Sequence, residues 1–202
     1  SIILVKISDY NARGLVGDEF DFDLAKEDSV ENFGYFCRAK FVTPRTGNRQ
    51  GSFGIGKAVF YHLSGINTAL MSSSLSDDGG FRVFGRSELP THFINDMQMM
   101  GNGCFGKCVD NRGAPSAQSV YDLSKKNISN LFLDRDMGDA PGTTVLSIAF
   151  DHTHITPGRL MREFQSNVEQ WFWPALCVQN PKLSITLRRF DNHECKDVQK
   201  ID

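Results

Sequence analysis

Ile3, Val5 and Ile7 alternate with Leu4, Lys6 and Ser8, a period of two that predicts a strand over 2–9 with one face strongly buried. It runs into the turn-rich Asp9-Tyr10-Asn11-Ala12-Arg13-Gly14-Leu15-Val16-Gly17. Residues 18–32 carry Asp18, Glu19, Asp21, Asp23, Glu27, Asp28 and Glu31 with little apolar periodicity, and read as a solvated, mobile loop. Residues 33–50 add aromatic and then basic polar positions. From Lys57 to Leu63 there is no breaker, so a helix is expected directly after a run of glycines, with Gly65 ending it. Ile66–Leu75 and Phe81–Leu89 predict two strands joined by Ser76-Asp77-Asp78-Gly79-Gly80, a good hairpin turn.

Between 90 and 141 glycine and proline interrupt the pattern, and helices are expected over 92–100 and 116–132. Thr143–Phe150 predicts a strand after Pro141-Gly142. Leu160, Met161, Phe164, Val168, Trp171 and Phe172 fall at helical spacing, giving an amphipathic helix over 158–173 that Pro174 ends. Trp171-Phe172-Trp173 reads as core on that helix, the alternative being an exposed partner patch. Leu183–Phe190 predicts a last strand before a polar tail.

The chain has 202 residues, enough for one domain or one and part of a second. A content 40% apolar and 23% charged is that of an ordinary globular protein and sets aside disordered and fibrous classes. A net charge of −2 gives no general electrostatic reason to expect nucleic acid or an anionic membrane. Arg188-Arg189 is too short a basic run to change this. No run reaches the roughly 20 apolar residues that span a bilayer, and no signal peptide opens the chain, so a cytoplasmic protein is expected. Cys37, Cys104, Cys108, Cys177 and Cys195 are an odd number at irregular spacing, which reads as thiols in a reducing compartment. Neither Cys104/Cys108 nor His152/His154 has the further ligands a metal site needs, and no metal ligands are assigned. The chain opens at Ser1 straight into a strand, and a preceding segment is expected in the full protein.

Gly51-Ser52-Phe53-Gly54-Ile55-Gly56-Lys57 fits the spacing of a Walker phosphate loop. Such a loop needs a buried strand before it and a hydroxyl residue after the lysine. Here Pro44–Gln50 is polar and the next residue is Ala58, so both fail. The hairpin that follows is antiparallel, whereas a Walker domain returns through parallel strands. Glycines crowding a helix N-terminus still suit an anion, through free backbone N–H groups and the positive end of the dipole. Lys57 would add a point charge.

Three segments in order resemble the GHKL superfamily of gyrase, heat-shock chaperone, histidine kinase and mismatch-repair ATPases, with its Bergerat nucleotide fold. Asp9-Tyr10-Asn11-Ala12-Arg13-Gly14 is similar to the D-x-G-x-G box, Gly51–Ala58 to the glycine-rich box after the lid, and Gly142–Ile148 to the G-T-x-V-x-I strand. The resemblance spans about residues 2–150, and its wording is nearest to bacterial chaperone-like ATP-binding proteins attached to larger defence or regulatory polypeptides. It implies an α/β (α+β) two-layer sandwich whose mixed, largely antiparallel sheet is covered by helices on one face. Residues 1–156 would be the ATP-binding domain, with a lid over about 14–57 and an insertion over about 90–141. Residues 157–202 would be a helix–strand extension that starts a transducer-like region.

By the same resemblance Asp9 would accept a hydrogen bond from the adenine amino group, and Asn11 and Gly14 would lie at the base and ribose. Gly51, Ser52, Phe53, Gly54, Ile55, Gly56 and Lys57 would hold the phosphates of ATP with magnesium. Thr143 or Thr144 would support the adenine end. The chain departs from the family at Asn11, where glycine is usual, and in placing Gly14 one position late. The helix that supplies the catalytic glutamate and the magnesium-binding asparagine would lie upstream of Ser1. The expected function is an ATP-binding conformational switch, hydrolytic if the base is supplied, that orders a lid and controls a further domain or a dimer. The alternative is a non-catalytic nucleotide-sensing module, and a P-loop phosphotransferase is more remote.

Overall fold

In the computed structural model, which describes residues 2–21, 31–39, 56–136, 140–151, 155–178, 181 and 183–201, the predicted hairpin around Ser76–Gly80 forms the middle of an antiparallel sheet. Strands β1 (Val5–Ser8), β2 (Thr68–Ser74), β3 (Phe81–Glu88), β6 (Asn102–Phe105) and β9 (Gly142–Ser147) lie in the order β1-β9-β2-β3-β6. The register sets Met71 opposite Phe84 and Val145, and Val5 opposite Ser147. Two-residue alternation splits these strands between two clusters. Ala69, Met71, Phe84 and Val145 pack with Leu15, Phe33, Cys37 and Tyr61, and the opposite parity sends Val83 and Leu146 to Leu133. The chain is a mixed α/β protein of antiparallel sheets with few helices.

Helices contribute to both sides. A π-helical turn, Gly34–Arg38, and the short helix α1, Ala58–His62, bring Cys37 and Tyr61 to the first cluster. Helix α2, Lys125–Asn130, begins where the Ser124 side chain accepts from the Asn127 N–H, and its Ile128 packs on the second. The expected covering of one face is therefore incomplete as a description. Two buried serines of β2 are satisfied internally: Ser72 Oγ donates to Leu133 O at 2.8 Å and Ser73 Oγ to Gly142 O at 2.9 Å.

Phe84 on β3 is flanked by Arg82 and Arg86, all three buried and sharing one face by the strand period. Arg82 Nη1 donates to Leu15 O at 2.5 Å and Nη2 to Gly17 O at 3.1 Å, and its guanidinium lies 4.2 Å from the Phe33 ring centre. Arg86 Nη1 donates to Cys37 O at 2.7 Å, and Nη2 pairs with Glu88 at 2.8 Å. Glu19, expected to be solvated, is buried instead. It pairs with Arg38 and Arg82 at 3.2 Å each and accepts from Tyr121 Oη at 2.7 Å. Two cations compensate its desolvation, which an isolated carboxylate in an acidic loop would not have.

Three expectations between 90 and 141 and at the tail are corrected. Residues 92–100 form a hairpin, β4 (His92–Ile94) and β5 (Met97–Met99), because Asn95 and Asp96 both take positive φ, 48° and 61°. Such a turn twists with its strands and admits Asn and Asp readily. Within 116–132 only α2 is helical, since Ala114–Gln118 is strand β8, paired with β7 (Lys107–Asn111). The polar tail is strand β11 (Glu194–Ile201), paired with β10 (Ile185–Asp191) across Asn192 and His193, again at positive φ.

The chain divides into two compact units, Ser1–Asp151 and His152–Asp202. In the second, helix α3 runs from Pro157 to Leu176, opened by Thr156, whose side chain accepts from the Arg159 N–H. It passes through Pro174, which was expected to end it. So near the C-terminus the missing N–H forfeits one bond of the last turn, and the helix closes two residues later. Trp171, Phe172 and Trp173 are 71%, 49% and 60% exposed, not core. Among the described residues no helix is long and apolar enough to cross a membrane.

Removing Glu19 leaves the buried Arg82 and the half-buried Arg38 without their shared carboxylate, so Glu19→Ala should lower stability by about 3 kcal/mol in chemical denaturation. Burial pushes the Cys37 thiol up to about 12, whereas Cys104, Cys108, Cys177 and Cys195 are exposed. Mass spectrometry after native alkylation at pH 8 should therefore find those four modified and Cys37 intact. A raised thiol pKa also means that the unfolded chain ionises first, so stability should fall as pH rises from about 9 toward 12.

Candidate functional site

A cavity of about 480 Å³ opens beside the β1–β9 pair. Ile7, Leu15, Phe36, Phe60 and Val145 make its apolar walls, and Asp9, Arg13, Asn32, Lys57 and Thr143 its polar positions. Its size lies within the usual range for small-molecule sites, about 300–1,000 Å³. Ile7 was expected on a strongly buried strand face. Because β1 pairs only with β9 in its sheet, Ile7 is 45% exposed at the cavity.

Asp9 continues the β1–β9 ladder by one step. Its N–H donates to Thr143 O at 2.9 Å, and its Oδ1 accepts from the Thr143 N–H, the carboxylate taking the place of a backbone carbonyl. The other carboxylate oxygen has no hydrogen-bond partner among the described residues. Behind Asp9, Arg135 donates to Asp9 O at 2.7 Å, Ala140 O at 3.1 Å and Thr144 Oγ1 at 3.1 Å, and stacks 4.6 Å over the Tyr10 ring. Half-burial lowers the pKa of Arg135, with Tyr10 and Asp9 acting in the opposite direction. No motif in the sequence pointed to Arg135.

Two glycines permit this fit. Gly14 has φ +74°, and a Cβ there would meet Ser74 O at 2.4 Å and Ser73 Oγ at 2.6 Å. Its carbonyl accepts from Asn32 Nδ2 at 2.9 Å, and the next N–H, of Leu15, donates to Ser73 Oγ at 2.8 Å. Gly142 has φ +148°, and a Cβ there would meet Asp9 O at 2.4 Å.

The cavity thus gathers Asp9 and Gly14 from the first box, Lys57 from the second and Thr143 from the third. It does not include three others. Asn11 takes positive φ, 57°, in the turn beyond Asp9. Thr144 faces away by the strand period and is fully buried, its hydroxyl 2.8 Å from Ser8 Oγ. Gly56 is exposed with open space where a Cβ would stand. Gly51, Ser52, Phe53, Gly54 and Ile55, most of the expected lid, and the His152/His154 pair lie outside the described residues.

Lys57 sits at the start of α1, and its Nζ donates to Tyr35 O and Ala39 O, tying that helix to the π turn. Burial is the main cause that lowers its pKa, followed by the Arg86 charge. Helix α1 has only five residues. A helix that short adds little dipole to an anion site, so the expected electrostatic contribution of this helix end is small.

The lining suits a ligand with a flat apolar portion, a hydrogen-bond donor for Asp9 and negative charge for a cation. A nucleotide has all three. Asp9 is the one carboxylate among the described lining residues, so they build no magnesium site by themselves. Compared with family models, with curated proteins and with solved structures, the chain matches none.

Gly14→Ala combines a strained φ with a backbone clash. It should cost at least about 2 kcal/mol in thermal or chemical denaturation.

Proposed function

We propose that the first unit is an ATP-binding conformational switch on a Bergerat-type nucleotide fold. The observation that carries this reading is that Asp9, Gly14, Lys57 and Thr143, residues from three separated boxes, line one apolar-walled cavity, with an anchored carboxylate at the end of β1. Asp9 accepts the adenine amino proton on its second oxygen while Thr143 N–H fixes the first. Ile7, Val145 and Phe60 offer apolar surface to the base. Magnesium enters on the phosphates, as it commonly does where protein carboxylates are few.

Tyr35 and Phe36 belong to the segment that follows residues 22–30, and both line the cavity. A ligand touching Tyr35 and Phe36 would favour the arrangement of this wall that it contacts, as a switch requires. Such a switch would act on another domain of a longer polypeptide or on a second copy. A nucleotide-sensing role without turnover is the second reading, favoured by Asp9 itself. The one carboxylate among the described lining residues has one oxygen engaged by the Thr143 N–H, which supports a role in recognising a base over one in activating water.

Calorimetric titration with a magnesium-bound, non-hydrolysable ATP analogue should show binding that a GTP analogue does not match. Asp9→Asn should weaken it by about 1.5–3 kcal/mol, the worth of a hydrogen bond to a charged group. Equal binding by wild type and variant would sink the adenine assignment.

A further inference from the structure

We propose that Arg13, and not Lys57, is the side chain that meets the anionic end of the ligand; this rests on the nucleotide reading of the cavity. Among the described residues two cationic side chains line that cavity, Arg13 and Lys57, and their surroundings differ. Two of the three ammonium donors of Lys57 go to Tyr35 O and Ala39 O, so any move toward a ligand breaks the tie between α1 and the π turn. Its charge is engaged in holding the wall.

Arg13 is the reverse case. Its backbone is fixed from both sides: Ala12 N–H donates to Pro141 O at 3.1 Å, Arg13 O accepts from the Ser76 N–H at 3.1 Å, and Gly14 is packed beneath β2. The residue is nonetheless exposed, and its guanidinium has no partner among the described residues. By contrast, Arg38, Arg82 and Arg86 are each held by a carboxylate and by at least one backbone carbonyl. A guanidinium on a fixed backbone in the lining of the cavity, unpaired among the described residues, is suited to bidentate capture of phosphate oxygens. Arg13 therefore separates a phosphorylated ligand from the bare nucleoside, while Asp9 selects the base.

The test is calorimetry on the full chain with adenosine and with a magnesium-bound, non-hydrolysable ATP analogue, for wild type, Arg13→Gln, Arg13→Lys and Lys57→Gln. Arg13→Gln should weaken the analogue about 10- to 100-fold, as expected for loss of a charge-assisted bond, and leave adenosine unchanged. Arg13→Lys should fall between, and the analogue's salt dependence should flatten in Arg13→Gln. Lys57→Gln should shift both ligands in parallel. An unchanged ratio of analogue to adenosine affinity in Arg13→Gln, or a ratio that collapses only in Lys57→Gln, would overturn the proposal. Adenosine binding that needs Asp9, with the analogue no tighter, would overturn the role of Arg13 and leave base recognition standing. Wild type binding neither ligand would overturn both.

Discussion

Arg82 and Arg86 bracket Phe84 on β3 and hold the backbone of two segments distant in sequence, through Leu15 and Gly17 on one side and Cys37 on the other. The rest of the first unit depends on this grip. Those segments carry Gly14, Leu15, Tyr35 and Phe36, and so form the cavity wall away from the sheet. Buried guanidinium groups are costly unless paired, and Glu19, Glu88 and the carbonyls supply the pairing. The aromatic faces of Phe33 and Tyr121 fill the remaining directions. Unlike apolar contact, this network is directional, so it fixes where the wall stands as well as that it is there.

On the opposite wall the constraint is the ladder between β1 and β9. The Asp9 carboxylate substitutes for a backbone acceptor, Gly142 lets the Asp9 carbonyl come close, and Arg135 holds that carbonyl from behind. A group fixed in this way loses little freedom when a ligand arrives, which is the usual source of affinity in a preformed site. Lys57 joins the walls by connecting α1, beside the sheet, to the π turn that the arginines hold. The cavity is thus framed by polar ties at the walls described and lined by apolar groups with a few polar positions among them.

Sequence patterning made the central hairpin legible, because Ile66–Leu75 and Phe81–Leu89 flank an unmistakable turn. The family resemblance, not the patterning, singled out Asp9, Gly14, Lys57 and Thr143, which the fold brings to one cavity. Alternation alone would have separated Thr143 from Thr144, since Thr143 shares a face with Val145 and Thr144 with Leu146. Glu19 was illegible among acidic neighbours because its partners are Arg38 and Arg82, remote in sequence. Spacing singled out Lys57 but carried no information about the oxygens it meets, Tyr35 O and Ala39 O. Asn95-Asp96 and Asn192-His193 hid two hairpins, for neither pair contains the glycine that marks most such turns. Arg135 had no local signal at all, and its role exists only once Asp9, Ala140 and Thr144 are assembled.

The pairing of β1 with β9 joins the two ends of the first unit, whereas β4–β5 and β7–β8 close between neighbours in sequence. Loop closure makes the local hairpins cheap and early, and the end-to-end ladder late. During synthesis β1 emerges well before β9 and must wait for that partner until residues 142–147 have left the ribosome. The cavity is bounded by that last pairing, so it is absent from the nascent chain and comes into being only when the unit is whole. Any ligand that selects this cavity therefore selects finished molecules, and draws the final step of folding forward by mass action.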